Sequence, residues 1–239
     1  MANQDIYLRY KRSLIGPFWI SLTMLATILG IGLLYSMIFN QEFASFLTFF
    51  ACGLLAWNLL VPMMTEGCGA VTEAESHLRS IPIPVTVLAA RSVYRCFLVF
   101  LHNFAVVILA LLVFGHKFEP VAMLSLLGVA AYLAFGFFWT VAMAPLSTRY
   151  RDIPQVVSSI MQIAFFLTPI FWRPEFTSKR PMVTEANPFF HIIEVIRAPL
   201  LGTAPSSLSW LVTLGAIALF AVIAVIVNAH ARKRIFVWL

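Results

Sequence analysis

Charge is what this sequence has least of: Asp, Glu, Lys and Arg make up 11% of its 239 residues, where a soluble domain devotes about a quarter to them. A chain so poor in ions cannot use water as its main solvent. Its 61% of hydrophobic residues and mean hydropathy of +0.92 point to lipid instead. Cysteine is also scarce. Cys52, Cys68 and Cys96 show no CxxC spacing, which argues against a thiolate metal site or a disulfide framework and leaves small buried packing residues. Neither GxxxxGK[ST] nor HExxH occurs, so the chain has no phosphate-cradling loop and no zinc-hydrolase motif of its own. No polar stretch is long enough to fold separately, and residues 1–239 read as one membrane domain.

What is present is a series of apolar runs. A helix needs about 20 such residues to cross a hydrocarbon layer about 30 Å thick. Six runs qualify: Phe18 to Phe39, Phe43 to Thr65, Cys96 to Phe114, Val121 to Ala144, Val156 to Trp172 and Ser209 to Val227. The fold class expected is all-α, a polytopic membrane protein with six transmembrane helices. The fifth run is the shortest and carries Pro169 near its end. The first follows a basic, polar start, is too long for a signal-peptide core and reads as a retained span.

The net charge of +6 would suggest nucleic acid in a soluble protein. Here the cations are scattered over short loops, which speaks against such a partner. They set orientation instead. With the amino terminus inside, Arg9, Lys11, Arg12, Arg79, Arg91, Arg95, Arg149, Arg151, Arg232, Lys233 and Arg234 are cytoplasmic, 11 of 16 basic residues, while the acidic residues divide evenly. That is the positive-inside pattern, and six spans return the carboxyl terminus to the cytoplasm.

Three segments between the runs have patterns of their own. Residues 1–17 read as an interfacial helix, with Asp5, Arg9 and Arg12 on one face and Ile6, Tyr10 and Leu14 on another, stopped by Gly16 and Pro17. Residues 66–95 are long for a simple connector. Within them Glu73, Ser76, His77 and Arg79 share a short helical pattern ended by Pro82 and Pro84. Residues 173–208, on the opposite side, contain the apolar segment Asn187 to Gly202, too short to cross. Asn187 caps it, Pro188 suits its first turn, and Pro199 and Gly202 end it, giving a re-entrant or interfacial helix. His191, Glu194 and Arg197 form its polar face, by spacing alone a solvated one with a weak ion pair.

Inside the six runs His102 is the only Asp, Glu, Lys, Arg or His, and an ion-coupled carrier needs more relay groups than that. Beside Asn103 it reads as half of a packed, hydrogen-bonded pair. Any active transport must therefore draw free energy from a partner. Aromatic residues are 14% of the chain. Many belong to lipid-facing and interfacial belts, though aromatic rings also suit a path for sugars, whose apolar ring faces stack on them.

Four stretches together resemble the ABC-2-type permeases that export bacterial polysaccharides such as O-antigen, capsule and teichoic acid. They are RYKRSLIGPFWISL (9–22), TEAESHLRSIPIP (72–84), RYRDIPQVVSSIMQIAFFLTPIFW (149–172) and NPFFHIIEVIRAPLLG (187–202). The second is less basic than the family pattern. The resemblance implies a homodimeric permease subunit in the bacterial inner membrane, itself no enzyme and without a cofactor. ATP and magnesium would be handled by two copies of a cytoplasmic ATP-binding subunit. It implies coupling contacts at Glu73, Ser76, His77, Arg79 and Ile81. A lipid-linked glycan would be admitted from the surrounding membrane lipid, its diphosphate meeting Arg9, Lys11 and Arg12, with Arg91 and Arg95 secondary. The glycan path and outer gate would fall on Phe165, Phe166, Pro169, Phe171, Trp172, Phe189, His191, Glu194 and Arg197. An exporter of a small lipid or drug on the same scaffold is the alternative, followed by a transferase acting on a lipid carrier.

Overall fold

The computed structural model describes residues 16, 18–78, 83–177 and 182–231. The described residues are helical, with no strand among them: α1 (Phe18–Ile38), α2 (Phe43–Gly69), α3 (Glu75–Leu78), α4 (Val85–Val113), α5 (Leu124–Arg149), α6 (Ile153–Leu167), α7 (Met182–Glu185), α8 (Pro188–Leu200) and α9 (Ser207–Ala231). A 3-10 turn, Pro120–Met123, leads into α5. Five helices are long and apolar enough to cross a bilayer: α1, α2, α4, α5 with its leading turn, and α9.

Helix α2 is the centre of the bundle, with α1, α4, α5, α6 and α8 packed around it. Phe46, Leu47, Phe50, Leu55, Leu59, Leu60 and Met63 are all buried along it. α1 and α9 stand at the periphery and expose large apolar side chains such as Leu33, Met37, Leu211 and Val225, the pattern of helices whose outer faces meet acyl chains.

Contacts sort the helix ends into two levels. At the base, Val71, Ala74 and Leu78 pack on Val85, Leu88 and Ala144, and Ala224 near the end of α9 packs with Ala89 and Val141. At the head, Phe43 meets Phe114 edge to face at 5.4 Å, and His116 bonds the carbonyl of Leu200 at 2.9 Å. Between these levels α6 has 15 residues, about 22 Å of helix. It starts from the base, just after Arg149, and the chain beyond it reaches the head, where Arg173 donates to Ser45 at 2.7 Å.

Several boundaries differ from the sequence expectations for identifiable reasons. α4 begins at Val85 rather than Cys96, because Arg91 and Arg95 interrupt an apolar run without interrupting a helix. α2 continues to Gly69, so the long connector expected over 66–95 shrinks to 70–84. The fifth run, expected to Trp172, is helical only to Leu167. Thr168 precedes Pro169 and takes an extended backbone, ψ 135°, as a residue before proline prefers. The expected His102–Asn103 pair does not form. His102 is exposed and bonds Leu98 of its own helix at 2.8 Å, while Asn103 points inward, since successive residues face directions about 100° apart. The three cysteines are free and buried, as expected. The interfacial helix expected over residues 1–17 lies outside the described residues, apart from Gly16 at the turn into α1.

Candidate functional site

The break at the end of α6 is closed by α8. Asn187 has an extended backbone and caps α8, its Oδ1 accepting from the amide of Phe189 at 3.0 Å. The other end of the same side-chain amide donates to Thr168 Oγ1 at 3.0 Å and to the Leu167 carbonyl at 3.3 Å. One side chain thus satisfies the start of one helix and the end of another. Arg197, in the last turn of α8, donates to the Pro169 carbonyl and to Glu194. Non-helical backbone at this depth survives only where protein supplies its partners, and Asn187 and Arg197 supply them.

The polar face of α8 is correspondingly not a solvated one. Arg197 is 1% exposed and His191 is 3% exposed. The Arg197 guanidinium lies 4.5 Å from the centre of the Phe49 ring, a cation-π distance. It reaches there because α2 has Gly53 alongside, where a Cβ would stand 3.4 Å from Nη1. His191 bonds Ser209 Oγ at 3.1 Å and the Glu185 carbonyl at 2.8 Å. A carbonyl only accepts, so Nε2 carries a proton. Spacing alone could not separate a buried ion pair from a wet one, since both place Arg three residues after Glu.

The aromatic residues assigned to the path on α6 and beyond come together around Trp57 of α2 and Tyr35 of α1. Phe165 lies 5.7 Å from Trp57 and 5.8 Å from Phe171. Phe189 is 6.2 Å from Trp57, and Phe171 is 5.3 Å from Tyr35. Phe166 contacts both Phe165 and Phe171 yet remains largely exposed. Trp172 donates to the Phe166 carbonyl at 3.4 Å. Below this cluster α6 buries Val157, Met161 and Ala164 and exposes Gln155, Ser158, Ser159 and Gln162. Those polar residues recur at helical spacing on one side. Their periodicity was visible in the sequence, but a search for uncharged runs overlooks it. With Trp57, Val61 and Thr65 of α2, this side borders a groove of about 410 Å³ lined also by Ser158, Gln162 and Phe166.

At the base, Arg95 is shared by two carboxylates. Its guanidinium meets Glu66 at 2.9 Å and Glu73 at 3.2 Å. The ordering of these two groups on one cation ties the end of α2 and the turn before α3 to α4. Arg95 is therefore already engaged, unlike a cation waiting for a diphosphate. Arg91, one turn earlier, is partly buried, and Ser76 is exposed on α3. The His77 backbone lies in α3, while its side chain, Arg79, Ile81, Arg9, Lys11 and Arg12 are outside the described residues. Among the described residues no group of three or more His, Cys, Asp or Glu could hold a metal ion.

With no strand among the described residues and five helices suited to crossing a bilayer, the chain is a multi-pass transmembrane protein. No family model matches it. It is similar to the O-antigen export system permease protein RfbA of Myxococcus xanthus, 23% identical over 202 residues, 83% of this chain and 77% of that protein. It is also similar to two proteins of the same name from Klebsiella pneumoniae. One is 21% identical over 174 residues and the other 23% over 177 residues, each alignment covering 72% of this chain and 67% of the relative.

Proposed function

We propose that this protein is the permease subunit of an ATP-driven ABC exporter that carries a lipid-linked polysaccharide across the bacterial cytoplasmic membrane. O-antigen is the foremost cargo, and capsule or teichoic acid comes next. The observation that carries this reading is the exposed polar side of α6 on a chain that is alike to O-antigen export permeases over most of its length. Two glutamines and two serines turned toward acyl chains would be costly, and such groups in a span face protein or a water-filled path. One chain presents the groove between α2 and α6 open on one side, so a second copy would close it as a homodimer. The aromatic cluster around Trp57 would then stand along the path, offering ring faces on which sugar rings slide without strong binding.

Six crossings fit the geometry better than five. α6 runs from base to head, and the nonhelical continuation to Arg173 makes up the height its 15 residues lack. Both chain ends then belong to the base, the cytoplasmic side by charge. Two ATP-binding subunits would press there on the segment 70–78 containing Glu73 and Ser76, with His77, Arg79 and Ile81 as further contacts. Nucleotide and magnesium would be bound by those subunits. Diphosphate recognition would rest on Arg9, Lys11 and Arg12, with Arg91 and Arg95 secondary. Outer gating would involve the Pro169 break, Phe189, the buried His191 and Arg197, and the partly buried Glu194.

Deleting the gene and staining the cell surface for polymer tests the cargo. Loss of a surface glycan, restored by the wild-type chain and absent when a co-purifying ATPase is inactivated, is the expected result. A strain that keeps every surface polymer but accumulates a small lipid or loses drug resistance would overturn it.

A further inference from the structure

The head of the bundle holds a second cavity, separate from the groove along α6. Its volume is about 530 Å³, and it lies among the start of α2, the end of α4, the residues after the α6 break, and α8. Its lining combines carboxylates, hydroxyls and a guanidinium with two aromatic rings: Glu42, Ser45, Thr48, Arg173 and Glu175 beside Phe49 and Phe114. Arg173 lines it, donating to Ser45 Oγ at 2.7 Å and lying 5.6 Å from the centre of the Phe49 ring. Its Nε is buried and bonds to nothing, a donor left without the partner such groups normally have. Glu42 and Glu175 form no ion pair with any described residue. Glu194 also borders the cavity, but its charge is matched by Arg197.

We propose that this cavity is a saccharide-binding subsite at the exit of the transport path, which holds one or a few sugar units of the emerging chain. The inference rests on the polysaccharide-export reading and adds a place where the polymer is held after passage. Vicinal hydroxyls suit the free carboxylates of Glu42 and Glu175 as acceptors, while Arg173 donates. The ring of Phe114 suits the apolar face of a pyranose, while Phe49 backs the guanidinium groups of Arg173 and Arg197. The ionised lining, once Glu194 is matched by Arg197, comprises two carboxylates and one guanidinium. That balance favours a neutral or amino-bearing glycan over one rich in phosphate or uronate. The cavity is wide and open, so binding is weak, as an exit requires of a chain that must keep moving.

Because Cys52, Cys68 and Cys96 are all buried, an introduced surface thiol can be labelled selectively in the assembled exporter. Ser45→Cys, reacted with a maleimide-polyethylene glycol after assembly, would fill the cavity without disturbing folding. Ser207→Cys, also exposed at the head but not lining the cavity, is the control. Surface polymer appearing in a pulse-chase at about one fifth of the wild-type rate or less for labelled Ser45→Cys, with the control unaffected, is expected. Glu42→Gln with Glu175→Gln, unlabelled, should slow it about fivefold, the order of the charge assistance lost when a carboxylate acceptor becomes an amide. Normal rates for labelled Ser45→Cys and for the double variant would overturn the subsite, as would equal slowing by both labels. Either result would leave the export function intact if the deletion strain still lacks its polymer, whereas a deletion strain with unchanged surface polymer would reject the export reading itself.

Discussion

Replacing Arg197 is the sharpest test of how the head is held together. Its side chain is 1% exposed, and it bonds Glu194, which is 18% exposed, and the Pro169 carbonyl. Arg197→Met keeps most of the volume but leaves a carboxylate and a carbonyl without donors. Breaking one side of a buried ion pair costs about 3–5 kcal/mol. Arg197→Lys keeps the charge and loses the fork that reaches two acceptors at once, for about 1–2 kcal/mol. Adding Glu194→Gln to Arg197→Met removes the stranded charge and should recover about half of the loss, since contacting residues are not additive. Unfolding of the purified chain by SDS in mixed micelles, followed through tryptophan fluorescence, gives the energies. A cost under about 1 kcal/mol for Arg197→Met, or strictly additive losses in the double variant, would refute a buried, coupled pair.

Three further outcomes follow from the same geometry. Gln162→Leu together with Ser158→Leu should slow polymer export severalfold without lowering the amount of protein in the membrane; faster or unchanged export would place that side of α6 against lipid. At the base, Glu66→Gln should cost about 1–2 kcal/mol and Glu73→Gln under about 1 kcal/mol, because Glu73 is 53% exposed against 28% for Glu66; the reverse order in the same SDS titration would contradict the shared-cation geometry. Gly128→Ala should cost about 1–3 kcal/mol, because its Cβ would fall 2.3 Å from the backbone oxygen of Val195. Gly136→Ala should cost less, as its Cβ would meet a side chain rather than backbone, the sulfur of Met63 at 2.6 Å and its Cγ at 3.1 Å, and equal losses would show that backbone and side-chain obstacles are not distinguished here.

The helices were readable where one solvent decided everything. Runs of acyl-compatible residues located the cores of α1, α2, α4, α5 and α9, and Asn187, Pro188, Pro199 and Gly202 bounded α8 closely. Local turn chemistry suffices for such elements. What escaped depended on neighbours distant in sequence. Arg95 looked like a free cation until Glu66, 29 residues away, and Glu73 came within reach. Arg197 looked wet until Phe49 and Pro169 enclosed it. Trp57 and Tyr35 became relevant only because α1 and α2 deliver them to Phe165 and Phe171. The aromatic residues expected along the path do assemble, but composition offered no hint of which helix would present their common centre.

Gly128 carries a mechanical consequence. With no side chain between them, the main chains of α5 and α8 touch, and a seam that tight tolerates sliding along its length far better than prising apart. A stroke delivered to the lower end of α5 would therefore arrive at the far rim as displacement of α8, with little lost to compression on the way.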